Sequence, residues 1–221
     1  MPEEQEQNVR GEAKSRGIAV LLLAAGESTR MGRSKQLLPW GGSTLLEYQV
    51  AQARSLSVAA EVVVVLGEGA EELRPLVSGS PNGGRGVPDV RVVVNAGYRM
   101  GKTSSILAGL RALRSDAQGV MVIGVDQPRP VSLLEALAEG FQAGSSLIAV
   151  PAYKGKRGHP PIFSISLLPE LLAISEEREG LREIVQRHRS ETQETEVDSQ
   201  LVLTNLNTLM DYQRALALST M

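Results

Sequence analysis

The sequence predicts a single α/β domain in which a mostly parallel sheet carries helices on both faces. Short apolar runs alternate along the chain with helical patterns, a rhythm that is typical of consecutive β-α units. The 221-residue chain is 42% hydrophobic, which is enough to bury one substantial core. The sequence shows no internal repeat that would indicate a solenoid or a propeller.

The first part of the chain supplies apolar runs short enough for buried strands, at 18–23, 61–66, 90–94, 120–125 and 147–150. Helical patterns separate these runs, at 43–56, 70–77, 103–113 and 131–141. We expect the first helix to have its N-cap at Ser43 or Thr44, because a hydroxyl there accepts a hydrogen bond from a free backbone N–H. The glycine- and proline-rich residues 78–88 predict a mobile loop.

The second part of the chain departs from this regular rhythm. Residues 151–164 are rich in Gly, Pro, Lys and Arg and predict a loop or hairpin that projects from the sheet. The remaining expected elements are helices at 167–174 and 180–188, a returning strand at 195–203 and a closing helix at 208–218. The polar residues 1–17 predict a disordered tail, which leaves 18–221 as the domain.

Composition excludes several classes of partner. The net charge of −2 argues against nucleic acid as the main ligand. The chain has no cysteine, so it has neither a disulfide framework nor a thiolate metal site. No apolar stretch approaches the ~20 residues of a membrane span, and the first residues are acidic, unlike a secretory signal. We therefore expect a cytoplasmic protein with no nucleic-acid or membrane partner.

The segment 26–39, which follows the first predicted strand, has the features of a phosphate-binding loop. It leaves the carboxyl end of the strand, where open α/β sheets bind ligands. The small residues at 24–26 offer backbone N–H groups with little side chain to obstruct a phosphate or a base. Arg30 and Lys35 add a planar guanidinium and a mobile ammonium. The glycine spacing fits neither a Walker loop nor a dinucleotide-binding turn.

A second cluster, Gly-Val-Asp-Gln-Pro at 124–128, ends the fourth predicted strand. Because parallel strands end at one edge of the sheet, Asp126 is expected beside the first loop. A carboxylate there suits Mg²⁺, which takes oxygen ligands and completes its octahedron with water and nucleotide phosphates. As plain structure, Asp126 would instead cap the turn before Pro128.

The first loop resembles one family closely. Residues 23–35, Leu-Ala-Ala-Gly-Glu-Ser-Thr-Arg-Met-Gly-Arg-Ser-Lys, follow the pattern Leu-Ala-(Ala/Gly)-Gly-x-Ser-x-Arg-Met-Gly-x-x-Lys of the MobA-like nucleotidyltransferases. The double alanine and the following Leu-Leu-Pro-Trp resemble the branch of molybdenum cofactor cytidylyltransferases. The resemblance implies a Rossmann-like, GT-A-like nucleotidyltransferase fold. It also implies nucleotide-binding residues in this loop, namely Leu23, Ala24, Ala25, Gly26, Arg30 and Lys35.

Asp126-Gln127-Pro128 is similar to the family's Gly-Asp-Gln/Met-Pro, with Val125 in place of the glycine. The resemblance makes Arg30, Lys35 and Asp126 the catalytic residues. It places Gln127 and Pro128 beside the acceptor.

The segment 95–106 is similar to the family's Asn-x-x-Tyr/Trp-x-x-Gly-x-x-x-Ser and joins a predicted strand to a helix. The resemblance adds Asn95, Gly101, Ser104 and Ser105 to the nucleotide-binding residues. Without the family, the same segment is a capped helix start, in which hydroxyls satisfy the first backbone N–H groups.

Two further segments resemble the family less completely. Gly-His-Pro-Pro-Ile-Phe at 158–163 resembles the segment beside the acceptor, which implies that His159 binds the acceptor, although a solvated basic loop explains the same residues. Residues 205–212 resemble Asp-Ile-Asn/Asp-Thr-Pro-x-Asp-Tyr, but Asn205 replaces the metal-binding aspartate. Asp126 and Asn205 are therefore the expected metal ligands, with less negative charge than in relatives.

The resemblance implies a Mg²⁺-dependent enzyme that transfers CMP from CTP to molybdopterin cofactor and releases pyrophosphate. The residues alone predict nucleotidyl transfer but not its acceptor. Two alternatives stay open: a nucleotidyltransferase that uses GTP or another phosphorylated acceptor, such as a sugar or alcohol phosphate, and a non-catalytic protein that delivers the cofactor to a molybdenum enzyme. Val125 and Asn205 are the departures that favour the second alternative.

Overall fold

The computed structural model describes residues 17–27, 34–78, 88–114 and 116–219. Within these ranges the strands are β1 (Ile18–Ala24), β2 (Pro39–Trp40), β3 (Ser43–Thr44), β4 (Ala59–Leu66), β5 (Val90–Val94), β6 (Gly119–Gly124), β7 (Ile148–Tyr153), β8 (Lys156–Arg157), β9 (Ile162–Ser164) and β10 (Thr192–Glu196). The α-helices of the same ranges are α1 (Leu45–Ser55), α2 (Ala70–Ser78), α3 (Lys102–Leu110), α4 (Val131–Ala143), α5 (Leu168–Leu171), α6 (Leu181–Arg187) and α7 (Leu209–Ser219).

One large sheet organises the molecule, with the strand order β10-β7-β9-β6-β1-β4-β5 and β8 paired to β7. The pairs β6-β1, β1-β4, β4-β5 and β10-β7 are parallel. The antiparallel β9 lies between β6 and β7. The predicted α/β fold with a mostly parallel sheet is confirmed.

The position of β1 in the middle of the sheet explains why its sequence is continuously apolar. Alternate side chains of a strand point to opposite faces, and both faces of β1 are covered. Val20 and Leu22 pack on the face that carries α1, α2, α4 and α7. Leu21 and Leu23 pack on the face that carries α3, α5 and α6. At roughly 1.5–3 kcal/mol for each buried aliphatic side chain, this strand contributes strongly to the core.

The second part of the chain differs from its prediction in two places. The predicted hairpin at 151–164 is present as β7-β8, but β9 joins the main sheet and does not project from it. The strand predicted at 195–203 is wrong beyond Glu196, where β10 ends, and Gln200–Leu203 forms a 3-10 turn. Leu201 and Val202 are buried there. Their apolar character reflects the packing of this turn. A short apolar run in a sequence does not distinguish a buried turn from a buried strand.

Two predicted segments lie outside the described residues: the tail 1–17, of which only Gly17 is described, and most of the loop 78–88. Among the residues that the structure does describe, every helix is too short or too polar to span a bilayer.

The predicted N-cap of the first helix is confirmed at Thr44. Its hydroxyl accepts a hydrogen bond from the backbone N–H of Glu47 at 3.2 Å, and the Glu47 carboxylate accepts one from the Thr44 N–H at 2.9 Å. This reciprocal pair is a capping box. The hydrogen bonds from Thr44 hold the pKa of Glu47 below its ordinary value.

We expect Thr44→Ala to lower the free energy of unfolding by about 1 kcal/mol, because a helix N–H loses its acceptor. Thr44→Ser keeps the hydroxyl and should stay within about 0.5 kcal/mol of the natural protein. Urea unfolding of the three proteins measures both changes. Equal stability of the alanine and serine variants would show that the cap contributes nothing.

Candidate functional site

Two cavities meet at the carboxyl edge of the parallel strands. The first has a volume of about 640 Å³ and lies between the loop after β1, the end of β6 and the start of α3. The second has a volume of about 680 Å³ and lies between α3, α6 and the segment that leads into β9. The side chains common to both cavities are Lys102 and Asp126.

Most of the predicted nucleotide-binding residues line the first cavity: Leu23, Ala25, Gly26, Lys35, Gly101 and Ser105. Three others lie behind its wall, namely Ala24, Asn95 and Ser104. Arg30 lies outside the described residues.

Ala24 is fully buried and contributes a carbonyl to the loop structure. The side-chain amide of Gln36 donates to the Ala24 carbonyl at 2.8 Å and to the Gly26 carbonyl at 3.3 Å. Gln36 is itself 2% exposed. A buried amide with two carbonyl acceptors ties the segment that begins at Lys35 to the backbone at Ala24 and Gly26. The sequence reasoning missed Gln36, because nothing in the local pattern separates it from a surface glutamine.

Asn95 and Ser104 hold the start of α3 in place. The Asn95 amide donates to the hydroxyls of Ser104 and Ser105 at 2.9 and 3.0 Å, and its carbonyl accepts from the Gly97 N–H at 3.0 Å. The Ser104 hydroxyl lies 2.8 Å from the Gly101 carbonyl. The side chains of Asn95 and Ser104 are thus hydrogen-bonded within the protein. Of the two serines, Ser105 lines the cavity.

The two predicted catalytic residues that are described lie side by side. The Lys35 ammonium is 3.5 Å from the Asp126 carboxylate, and their side chains are 17% and 31% exposed. The pair joins the loop after β1 to the loop after β6. A carboxylate and a cation are thus presented together at the mouth of the first cavity.

Arg99 lines this cavity together with Lys35 and Lys102, and the sequence reasoning missed both Arg99 and Lys102. Its guanidinium donates to the Glu27 carboxylate at 2.8 Å and lies 5.4 Å from the centre of the Tyr98 ring. The Tyr98 hydroxyl donates to the carboxylate of Glu68. Glu27, Tyr98 and Arg99 all line the first cavity, so these contacts link lining residues of the loop after β1 and of the segment before α3.

The second cavity contains three of the other predicted residues, Gln127, His159 and Asn205. Its apolar wall comes from α3, α6 and the neighbouring strands, through Ile106, Val122, Val150, Phe163, Leu181 and Val185. Its charged lining residues are of both signs: the cations Arg157 and Arg182 and the carboxylates Glu176 and Glu179. Pro128 is buried and does not line the cavity.

His159 is neutral at pH 7 in this environment. Burial of the ring by surrounding protein lowers its pKa to about 4, and the positive charges of Lys102 and Arg129 act in the same direction. The ring keeps contact with solvent in the cavity. It therefore offers one donor and one acceptor nitrogen to a bound molecule.

Gln127 links the two predicted metal ligands. Its amide donates to the side-chain carbonyl of Asn205 at 3.0 Å, and its own carbonyl accepts from the Gly124 N–H at 3.0 Å. The Leu206 N–H donates to the Asp126 backbone carbonyl at 2.8 Å, which brings the Asn205 segment against the Asp126 loop. The Asn205 oxygen thus retains one lone pair.

A carboxylate and an amide oxygen form a donor set that suits Mg²⁺. The described residues contain no group of three or more His, Cys, Asp or Glu side chains that could hold a metal ion. Asp126 and Asn205 would therefore supply the smaller part of a coordination shell, with water and substrate oxygens as the rest. This division is usual for Mg²⁺ bound with nucleotide phosphates.

Arg129 lies fully buried beneath the second cavity. Its guanidinium donates to the carbonyls of Pro128 at 3.0 Å, His159 at 3.0 Å, Val202 at 3.2 Å and Thr204 at 2.9 Å. Burial lowers its pKa to about 9, against the attraction of Asp126, so the side chain is charged at pH 7. One cation thereby holds together the three chain segments that carry Gln127, His159 and Asn205.

Gln49 on α1 supports the same loop from the opposite side. Its buried amide donates to the carbonyls of Gly124 at 3.1 Å and Gln127 at 2.8 Å, and its carbonyl accepts from the Arg129 N–H at 3.3 Å. The loop that presents Asp126 is therefore bonded to the helix layer as well as to its neighbouring loops. The sequence reasoning missed both Gln49 and Arg129.

Comparison with protein families gives a match to the MobA-like NTP transferase domain over residues 20–192. The nicotine blue oxidoreductase of Paenarthrobacter nicotinovorans is 33% identical over 69% of this chain and 73% of its own length. The molybdenum cofactor cytidylyltransferase of Escherichia coli is 24% identical over 66% of this chain and 70% of its own length. The chain covers only 31% of a 38% identical relative, the bifunctional IPC transferase and DIPP synthase of Rubrobacter xylanophilus.

Solved structures show the same fold. Rv0371c of Mycobacterium tuberculosis superposes with a TM-score of 0.71 and 28% identity, over 92% of this chain and 99% of that one. A structure of that protein is described as a complex with manganese, with a TM-score of 0.67 and 27% identity over 92% of this chain and 99% of that one. A nucleotidyl transferase from Methanothermobacter superposes with a TM-score of 0.73 and 25% identity, over 91% of this chain and 96% of that one.

The Arg129 bonds lead to a stability prediction. Arg129→Met keeps an unbranched chain of similar length but leaves buried carbonyls without donors, so we expect a loss of about 3 kcal/mol or more in the free energy of unfolding. Arg74→Met, at an exposed position of α2, should change it by less than about 0.5 kcal/mol. Urea unfolding compares the two variants. An Arg129→Met protein as stable as the Arg74→Met control would contradict the structural role of the guanidinium.

Proposed function

The chain belongs to the MobA-like NTP transferase family, and we propose that it transfers CMP from CTP to molybdopterin cofactor with release of pyrophosphate. The observation that carries this proposal is the junction of two cavities at Asp126 and Lys102. A transferase of this kind needs adjoining sites for a nucleoside triphosphate and a phosphorylated acceptor, so that the two phosphates meet. The first cavity suits the nucleotide, and the second suits the acceptor.

The first cavity has the chemistry for a triphosphate. Backbone at Ala25 and Gly26 permits close approach of the nucleotide, and the Gln36 amide fixes that backbone. Lys35 would bind the phosphates together with Arg30. In the protein without substrate, the Lys35 ammonium and the Asp126 carboxylate neutralise each other at 3.5 Å. A complex of nucleotide and metal ion would offer each of these charges a stronger partner. The Lys35 ammonium would pair with the phosphate anions, and the Asp126 carboxylate would pair with the metal cation.

We assign the metal to Asp126 and Asn205, because their oxygen donors suit Mg²⁺ and both residues line the second cavity. The metal would neutralise charge on the triphosphate during transfer. A manganese complex of the related Rv0371c supports a divalent cation in this fold. Mg²⁺ is proposed here from the donor set and from its usual partnership with nucleotide phosphates.

The second cavity has the chemistry for molybdopterin cofactor. Its apolar wall can cover a flat ring system, and Arg157 and Arg182 complement a phosphorylated, anionic molecule. Neutral His159 and the amide of Gln127 supply hydrogen-bonding groups at the end nearest Asp126. Pro128 would act indirectly, through its carbonyl bond to Arg129. The name of the Escherichia coli relative supports this acceptor.

A second candidate is a nucleotidyltransferase for a different phosphorylated acceptor. The observation in its favour is that the relatives include proteins named for IPC transferase, DIPP synthase and GlmU activities. The first cavity serves both candidates, and the difference lies in the second cavity alone.

We expect pyrophosphate release when the protein is incubated with CTP, Mg²⁺ and molybdopterin, and a higher kcat/KM for CTP than for GTP. The assay crosses each of the four ribonucleoside triphosphates with molybdopterin, a sugar phosphate and an alcohol phosphate. Pyrophosphate release with a different pair of nucleotide and acceptor would show that the proposed nucleotide or the proposed acceptor is wrong. No release with any pair would favour a non-catalytic protein that delivers the cofactor.

Asp126→Asn should reduce Mg²⁺-dependent pyrophosphate release by about 10²-fold or more, because the metal site loses its carboxylate. The fold should survive, since the substitution is nearly isosteric and the side chain is 31% exposed. Asp198→Asn, at an exposed position away from both cavities, is the matched control. Normal unfolding of Asp126→Asn together with normal turnover at limiting Mg²⁺ would exclude Asp126 as the metal ligand.

A further inference from the structure

Lys102 occupies the boundary between the two cavities. It is the first residue of α3, and its exposed side chain lines both the first and the second cavity. Asp126 is the other side chain that does so. Lys35, by contrast, lines the first cavity alone, and Arg182 lines the second alone. A carboxylate and an ammonium thus flank the place where contents of the two cavities touch.

The charge of Lys102 is available to a ligand. Lys35, Arg99 and Arg157 each pair with a carboxylate. Among the residues that the structure describes, no carboxylate forms an ion pair with the Lys102 ammonium. Its positive charge acts on the His159 ring across the second cavity, where it is the largest charge effect on the pKa of that residue. The ammonium therefore influences a group on the acceptor side, although Lys102 also lines the nucleotide side.

The backbone beneath Lys102 is firmly held. The preceding Gly101 has a φ of +107°, which favours glycine, and an added Cβ would lie 2.7 Å from the carboxylate carbon of Glu176. The Glu176 carboxylate accepts the Thr103 N–H at 3.0 Å, and the Ser104 hydroxyl bonds to the Gly101 carbonyl. Lys102 thus starts from a fixed backbone position, and it is an exposed residue that lines both cavities.

We propose that Lys102 is a catalytic residue whose ammonium contacts the phosphoryl group in transit between nucleotide and acceptor. The inference rests on the proposed nucleotidyl transfer. In that reaction an acceptor phosphate oxygen attacks the α-phosphorus of CTP and forms a new P–O bond. The bond from the α-phosphorus to the oxygen bridging to the β-phosphorus breaks, and pyrophosphate leaves with the electron pair.

The position of Lys102 matches the charge that this reaction develops. Both reacting phosphates are anions, and they must approach each other at the junction before the new bond forms. A cation that reaches both cavities reduces their repulsion and stabilises negative charge on the α-phosphoryl oxygens in the transition state. Lys35 differs from it in two respects, because Lys35 lines the first cavity alone and its ammonium is paired with the Asp126 carboxylate.

Pyrophosphate release by Lys102→Ala, Lys102→Arg and the natural protein tests the proposal, with Lys156→Ala on the exposed hairpin as the matched control. We expect Lys102→Ala to lower kcat by about 10²-fold, with a KM for CTP within about threefold of the natural value. Lys102→Arg should recover part of kcat, because it keeps the charge. Lys156→Ala should behave as the natural protein does. Thermal unfolding of each variant, and direct titration of each with CTP and Mg²⁺, are measured on the same preparations.

The outcomes separate this inference from the proposed function. If the natural protein releases no pyrophosphate with any substrate pair, nucleotidyl transfer and the role of Lys102 are both wrong. If the natural protein is active and Lys102→Ala keeps its kcat, the proposed function stands and the inference about Lys102 is wrong. A Lys102→Ala protein with normal kcat but weakened CTP binding would make Lys102 a ground-state binding residue and would also overturn the inference.

Discussion

The parallel pairing of β1 with β6 is the constraint on which the candidate site depends. The register joins Leu23 to Gly124, and the Val125 N–H then donates to the Leu23 carbonyl at 2.9 Å. Because the two strands run in the same direction, both following loops emerge at one edge of the sheet. Lys35 and Asp126, which are 91 residues apart in sequence, therefore lie 3.5 Å apart. The apolar sequences of β1 and β6 fix this register, because a shift of one residue would turn the side chains of a strand to the opposite faces of the sheet. They thereby also fix the relative position of the two loops.

The second half of the site is organised by a buried charge. Arg129 brings its donors to carbonyls on three segments that have no common secondary structure. Without these bonds the carbonyls of Pro128, His159 and Thr204 would lose their guanidinium donor, whereas the Val202 carbonyl also accepts the His159 N–H at 2.9 Å. A neutral side chain supplies fewer donors in this fork geometry, whereas a guanidinium offers five. The cost of burying the charge is reflected in its lowered pKa. The same charge helps to keep the His159 ring neutral, so the packing of the loops and the chemistry of the second cavity are linked.

The sequence was sufficient for the alternating elements and for the residues placed directly at strand ends. Hydrophobic periodicity is local, and the charged residues that follow β1 and β6, Lys35 and Asp126, meet at one edge of the sheet as predicted. It was insufficient for Gln36, Gln49 and Arg129, since their partners lie far away along the chain or belong to backbone that any sequence possesses. Asn95 and Ser104 illustrate the opposite case. Their residue types fit a nucleotide contact, but their hydrogen-bonding groups are engaged in holding the start of α3.

The replacement of an aspartate by Asn205 has a physical consequence for the order of binding under the proposed function. The candidate metal site has one carboxylate, Asp126, which already faces the Lys35 ammonium. A single carboxylate holds Mg²⁺ weakly, because the ion dehydrates reluctantly and needs further anionic oxygens. The triphosphate supplies those oxygens and also attracts Lys35 away from Asp126, so nucleotide binding strengthens the metal site in two ways. By thermodynamic linkage, metal binding strengthens the nucleotide site to the same extent. A site with this composition therefore takes up metal and nucleotide together, as one complex.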